Sequence, residues 1–399
     1  MIKSSYETER MKKIPFTGIR RVLEQAIKLE AEGKSVVHFE IGQPDFDTPE
    51  HIKQAAKDAL DKGMVKYTSN FGLLQLRQKI AEKLQDINSL RVDPNTEIMV
   101  TVGGEEAVGA ILLSLLDPGD EVLVTDPGYI PYYSLVHLAS GIPVPVPLIE
   151  EKGYAYDYDA LERAVTPRTR MLIVNSPNNP TGAMLDKDNL AKLAEFCERN
   201  NLLVLADEAY EQIVYDGEKH VSFATLPNMK ERTITVQSFS KTYSMTGWRI
   251  GYIVASKEIN SVIVRAHQNL VLCATSFAQA GAIAALTGSQ EPLKNMVNEF
   301  SKRRNLLYQG LNDLGIPCHK PQGAFYLFPN ISEFRMGSSE FADYLLSKYG
   351  VASVPGVEFG QCGEGHLRIS YANSYANCQE GLRRIQKAVE ELRSRRGTI

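Results

Sequence analysis

What this 399-residue chain has little of narrows its chemistry before any motif is read. Cysteine is scarce: Cys197, Cys273, Cys318, Cys362 and Cys378 are odd in number, scattered and never at CxxC spacing. That excludes a disulfide framework or zinc ribbon and makes a reducing, cytoplasmic setting the expectation. The seven histidines include no HExxH pair, so no metal site is expected. Basic runs are missing apart from Arg393-Ser-Arg-Arg396, and the formal net charge is only −4, which argues against nucleic acid as a partner. No apolar run approaches a membrane span, and Met1 to Lys13 lacks the apolar core of a secretory signal. Internal repeats, low-complexity tracts and a GxGxxG dinucleotide fingerprint are missing as well.

What is present is a regular alternation. From about residue 95 to residue 256, short apolar runs alternate with helical periodicity: strands at Glu97 to Val102, Glu121 to Thr125, Ile142 to Pro147, Met171 to Val174, Leu202 to Ala206 and Thr233 to Gln237, with helices between them. Continuous apolar strands separated by helices predict an α/β fold with a mostly parallel, doubly covered sheet. Beyond Ser256 the pattern changes to helices and then a smaller α+β unit, ending in a helix over Ala376 to Arg393. The expected division is a large domain over residues 45–290 and a discontinuous small domain from residues 1–44 and 291–399. Before that division, Val36 to Ile41 reads as a strand, and Thr48-Pro49 as the N-cap and first residue of a helix.

The polar clusters fall where such strands end, which is where ligands bind in these sheets. Ser238-Phe-Ser-Lys-Thr-Tyr-Ser-Met-Thr-Gly-Trp-Arg-Ile-Gly251 reads as a loop after the strand ending at Gln237. It offers Lys241, hydroxyls at Ser238 and Ser240, and a guanidinium at Arg249. Hydroxyls and an arginine fork hold phosphate dianions, and a lysine beside cationic charge loses proton affinity and becomes a usable nucleophile. Together they suggest a Schiff-base lysine holding pyridoxal phosphate. Gly103-Gly104-Glu105-Glu106 turns a strand into a helix, whose free N–H groups make an anion site. Asn175 to Gly182 and Asp207-Glu208-Ala-Tyr210 close two further strands. The Gly42-Gln-Pro-Asp-Phe-Asp-Thr-Pro49 stretch is either an inter-domain linker or part of the site, and Tyr67 either packs or serves it.

Ser238-x-Ser-Lys241, Met245-Thr-Gly247 and Arg249-x-Gly251 resemble the signature of the class I pyridoxal-phosphate aminotransferases, the fold-type I family that includes aspartate aminotransferase. Gly42-Gln-Pro-Asp, Asn179-Pro-Thr-Gly182, Asp207-Glu-Ala-Tyr210 and Arg368-Ile-Ser-Tyr-Ala372 extend the likeness along nearly the whole chain, in the family's order. The resemblance implies a ping-pong transfer of the amino group of an L-amino acid to a 2-oxo acid. Lys241 would carry the cofactor and move the substrate proton, and Asp207 would keep the pyridine nitrogen protonated. Asn179 and Tyr210 would bond the ring hydroxyl. Backbone amides of Gly104 and Glu105, with Ser238, Ser240 and Arg249, would hold the phosphate. Tyr129 would stack on the ring, with Tyr132 and Tyr133 as rivals for that place. Gly42, Asn179 and Arg368 would hold the substrate carboxylate, as the small domain closes over it. Tyr67 would reach the phosphate of a neighbouring subunit, which implies a homodimer with shared sites.

One departure bears on substrate. Where bacterial aspartate aminotransferases of this subgroup resemble Gly-Gly-Lys, the third residue here is Glu105. A like charge there is expected to disfavour aspartate and glutamate, leaving neutral, aromatic or cationic donors. Lyase, decarboxylase or oxidase chemistry on the same cofactor is the alternative outcome. A non-catalytic regulator is a third, disfavoured because Lys241, Asp207 and Arg368 are all present and no DNA-binding extension precedes Gly42.

Overall fold

The computed structural model describes residues 6–14, 16 and 18–396; the remainder of the terminal stretches assigned to the small domain, and of the segment read for a signal, lies outside the described residues. Among the described residues, thirteen strands form three sheets. The largest has eight: β2 (Ile98–Thr101), β3 (Glu121–Asp126), β4 (Ile142–Ile149), β5 (Ala155–Tyr156), β6 (Thr169–Asn175), β7 (Leu203–Asp207), β8 (Thr233–Ser238) and β9 (Gly251–Val254). Their order is β2-β9-β8-β7-β6-β3-β4-β5. The pairs β8-β7, β7-β6, β6-β3 and β3-β4 are parallel, while β9 runs antiparallel to both neighbours and β5 is an antiparallel edge.

Both faces of this sheet are buried, which is why its strands read as unbroken apolar runs. Side chains alternate between faces. Val122 and Val124 join Ile173, Leu205 and Ile234 beneath helices Gly103–Leu115 and Lys257–Leu270. Leu123, Leu172, Val174 and Val204 point the other way, onto helix Lys187–Arg199. The prolines of β4 suit its place beside the edge strand β5. Pro143, Pro145 and Pro147 alternate with Ile142, Val144 and Val146, so the missing N–H groups all face away from β3.

The second region gathers both ends of the chain. β1 (Val37–His38) pairs in parallel with β11 (Val351–Ala352), and β10 (Tyr326–Leu327), β13 (Leu367–Ser370) and β12 (Val354–Pro355) form a three-stranded antiparallel sheet. Helix Gly18–Ala31 packs Val22 and Ala26 against Leu346 and Ala352. Helices Glu291–Asp313 and Tyr375–Arg396 cover the other side.

Three local readings are corrected. The strand expected over 36–41 is only two residues long, because its continuation leaves β11: Phe39 O accepts from Ser370 N at 2.8 Å and Glu40 O from Arg368 Nη2. Thr48 is not a cap; Pro49 holds the N-cap position of helix Glu50–Asp61, while the Thr48 hydroxyl donates to Ser244 O at 2.6 Å and accepts from Trp248 Nε1 at 3.1 Å. The stretch after β8 is not a plain loop, since Phe239–Thr242 forms a helical turn capped by Ser238, whose Oγ accepts from Ser240 N at 3.1 Å.

Candidate active site

The parallel strands β7 and β8 end side by side with β6 at one edge of a cavity of about 250 Å³. Each strand end contributes chemistry there: Asn175 from β6, Asp207 from β7, Ser238 from β8, with Ser240, Lys241 and Arg249 following. Gly104 and Glu105 sit in the first turn of helix Gly103–Leu115. Gly103 adopts φ +80°, and a Cβ there would stand 2.6 Å from Arg249 Nη2; glycine is what lets the guanidinium lie over the helix start. Arg249 itself has φ +53°, a left-handed conformation that a non-glycine residue holds only where its surroundings impose it. Its Nη1 donates to Thr246 O at 3.3 Å, and among the described residues it pairs with no carboxylate. A cation without a counter-charge beside helix N–H groups and two hydroxyls suits a dianion.

Lys241 donates from Nζ to the Gly42 carbonyl at 2.7 Å. Burial first, then the positive charges of Arg368 and Arg249, bring its pKa down to about 8, with Asp207 opposing. Asp207 is pushed upward by burial, an effect held back by bonds from the Tyr132 hydroxyl at 2.6 Å and from Ala209 N at 3.1 Å. Arg368 is almost wholly buried. Nη2 donates to Glu40 O at 2.5 Å and Nη1 to Asn179 Oδ1 at 3.3 Å, while the guanidinium lies between the rings of Tyr326 (4.6 Å) and Phe359 (5.1 Å). Its buried Nε has no hydrogen-bond partner among the described residues. Gly42 approaches so closely that a Cβ would meet the Tyr326 hydroxyl at 2.6 Å.

Most of the residues singled out from sequence therefore line one cavity: Gly42, Gly104, Glu105, Tyr129, Asn179, Asp207, Tyr210, Ser238, Ser240, Lys241, Arg249 and Arg368. Tyr67 does not. It is 84 % exposed on the outer surface. Of the three rival tyrosines, Tyr129 and Tyr132 both reach the cavity, edge to face at 5.3 Å, whereas Tyr133 turns away to bond Thr125 O at 3.2 Å. Sequence reasoning missed Tyr326, which exchanges a 2.9 Å hydroxyl bond with Tyr210, and the apolar wall of Ile19, Val108 and Leu135.

The donor set fits pyridoxal phosphate: a low-pKa amine, a carboxylate for the ring nitrogen, aromatic faces, hydroxyl partners in Asn179 and Tyr210, and the dianion site. The profile of the family described as aminotransferase class I and II matches residues 34–385. The chain belongs to that family. This aminotransferase is 42 % identical over 386 residues to "Aromatic-amino-acid aminotransferase 2" of Thermococcus litoralis, covering 96 % of this chain and 98 % of that one. It is 44 % identical over 360 residues to an aspartate aminotransferase of Pyrococcus abyssi, at 90 % and 92 % coverage. Among solved structures, the aspartate aminotransferase of Thermus thermophilus with maleate superposes with a TM-score of 0.91 at 37 % identity, over 96 % of this chain and 99 % of that one. The enzyme is thus a pyridoxal-phosphate-dependent aminotransferase of fold type I.

Proposed function

We propose that this aminotransferase takes a neutral amino donor, aromatic or large aliphatic, and that Lys241, Asp207 and Arg368 carry its chemistry. The observation behind the substrate reading is a count of cations. Of the described residues lining the cavity, only Lys241, Arg249 and Arg368 are positively charged. Lys241 carries the cofactor, Arg249 holds its phosphate and Arg368 clamps the α-carboxylate. A second carboxylate on the substrate finds no cation left and meets Glu105 instead, while an apolar side chain meets Ile19, Val108 and Leu135.

Pyridoxal phosphate, when bound, supplies an aldehyde that condenses with amines and a ring that withdraws electrons from the neighbouring carbon. The chain does the rest. Asp207 would hold a proton on the ring nitrogen, Asn179 and Tyr210 would bond the ring hydroxyl, and Tyr129 would cover the ring face. Gly104 and Glu105 N–H groups, Ser238, Ser240 and Arg249 would hold the phosphate. Lys241 would hold the cofactor and serve as the base at the substrate Cα; its amine, with a pKa brought down to about 8, can hold or release a proton near neutral pH.

The working unit is a homodimer. Exposed Val65 and Tyr67 stand on the segment bonded to Leu272 through Asn70 Nδ2 at 2.8 Å, beside exposed Leu270, an apolar face suited to a second copy. Across it Tyr67 serves the neighbouring protomer's phosphate. Residues 45–290 act as the large domain and residues 1–44 with 291–399 as the small one, which closes over substrate. Five free thiols suit a cytoplasmic setting, and no helix among the described residues is long and apolar enough to cross a membrane. Steady-state kcat/KM over a panel of amino donors tests the substrate reading: phenylalanine, tyrosine or leucine should exceed aspartate by at least about tenfold. An optimum for aspartate overturns it, and stoichiometric release of ammonia in place of oxo-acid-dependent turnover would point to a lyase.

A further inference from the structure

Beneath the strand ends lies a second set of ionisable groups that the reaction does not use. Glu208 follows Asp207 and Gln237 precedes Ser238, so the pleat turns these two away from the cavity. They meet there: Gln237 Nε2 donates to Glu208 Oε2 at 3.0 Å and to Glu211 Oε2 at 2.9 Å. Lys83 Nζ donates to Gln237 Oε1 at 2.7 Å and pairs with Glu211. Glu208 Oε1 accepts from Ser222 Oγ at 2.8 Å and Phe223 N at 3.0 Å, and its Oε2 lies 3.3 Å from His220 Nε2, an ion-pair distance off the line of a hydrogen bond. Side-chain exposures are 6 % or less for Lys83, Glu208, Glu211 and His220.

Charges withdrawn from water this far persist only when balanced. Glu208 and Glu211 bring two negative charges and Lys83 one positive; His220 as imidazolium completes the balance. Burial favours a neutral imidazole, but Glu208 and then Glu211 outweigh it and raise the His220 pKa against the opposing charge of Lys83. Ligand atoms of Glu208, Glu211 and His220 come within 4.8 Å of one another, yet the Lys83 ammonium already supplies the positive charge at Glu211. The cluster also reaches the site electrically, because the Glu208 charge raises the pKa of Asp207. Without His220 that charge is less compensated and Asp207 gives up its proton less readily.

We propose that Lys83, Glu208, Glu211 and His220, joined through Gln237, form a charge-balanced positioning cluster that fixes Asp207 against Ser238 and so sets the cofactor site from beneath the sheet. These are positioning residues, and none touches the cofactor. The test compares wild type with His220→Gln, reading the pyridoxal phosphate dissociation constant of each and the Tm of each cofactor-free protein from about pH 6 to about pH 9. The folded His220 pKa lies above its unfolded value, so its contribution is present below about pH 6.5 and disappears as pH rises through the folded value. The variant should bind cofactor about five- to twentyfold more weakly near pH 6, and both the affinity and the Tm gaps should close at alkaline pH. A pH-independent Tm gap with wild-type cofactor affinity would reduce His220 to a packing residue and overturn the proposal. Histidine-labelled NMR of the wild-type holoenzyme decides the matter even if the variant does not fold. With His220 assigned through its contact with Glu208, the ring is expected to be more than half imidazolium at about pH 6.5, the ordinary histidine midpoint, and a mostly neutral ring there overturns the proposal as well.

Discussion

The Tyr132 hydroxyl donates to Asp207 Oδ2 at 2.6 Å, tying the helix after β3 to the carboxylate that ends β7. Burial alone would favour the neutral acid at Asp207, and this bond is the first of the contacts that oppose it. Tyr132→Phe removes the donor while keeping the ring. A hydrogen bond to a charged group contributes about 1.5–3 kcal/mol, so cofactor affinity and kcat/KM should each fall by at least about tenfold with little change in Tm. Fluorescence titration with pyridoxal phosphate and steady-state kinetics check it; wild-type values in both would show that Asp207 does not depend on Tyr132.

How much of this site could be read from the chain follows from how local each cause is. Lys241, Asp207 and Arg249 were legible because a strand's end and its own neighbours place them. Arg368 and Gly42 came from motif likeness; nothing near either in sequence says that Glu40 O joins them, which requires β13 to lie against the residues after β1. Thr48 was misread because its hydroxyl is claimed by Ser244 and Trp248, some two hundred residues away, in place of its own helix. Tyr326 and the cluster under β7 and β8 were invisible for the same reason: each is an encounter between distant segments, with no periodicity of its own.

His38 links β1 to the end of the neighbouring helix, with Nδ1 2.7 Å from Glu40 Oε1 and Nε2 3.1 Å from Glu30 Oε1. The Glu40 bond, ahead of the opposing effect of burial, raises its pKa to about 9. Because the folded value exceeds the unfolded one, the stabilisation is complete below about pH 6.5 and is lost as pH climbs through about 9. His38→Gln should therefore lower stability by about 2–3 kcal/mol near pH 6, with the difference from wild type vanishing above about pH 9. Urea unfolding at both pH values measures this; an equal loss at both would mean the pair contributes packing only.

The Lys241 amine, at a pKa of about 8, should react as a neutral nucleophile well below the range of ordinary lysines. In the cofactor-free protein, the rate of borohydride-trapped addition of pyridoxal at Lys241, followed by peptide mass spectrometry, should rise with pH and level off above about 8. Arg368 is the second-ranked cause of the depressed value, after burial. Arg368→Leu should accordingly shift the profile to higher pH, whereas Arg368→Lys should leave it nearer the wild type. A profile still rising at about pH 10 in the wild-type protein would contradict the desolvated, cation-flanked environment.

Glu105 is the residue on which substrate choice should turn. It stands exposed in the first turn of helix Gly103–Leu115, lines the cavity as Tyr129 does, and is one of two lining carboxylates among the described residues, the other being Asp207. In the proposed site its backbone N–H would serve the phosphate whatever the side chain, so Glu105→Lys should leave cofactor binding nearly unchanged. The side-chain charge, however, reverses from repelling a distal carboxylate to attracting one. Like-charge juxtaposition costs several kcal/mol in a partly desolvated contact, and its reversal should raise the aspartate-to-phenylalanine ratio of kcat/KM by about 10²-fold. Glu105→Gln, which removes repulsion without adding attraction, should fall between the two. The ordering Glu, Gln, Lys in that ratio is the sharper criterion, because it separates a charge effect from a change in shape; a ratio that ignores the charge at position 105 would place substrate selection elsewhere in the cavity.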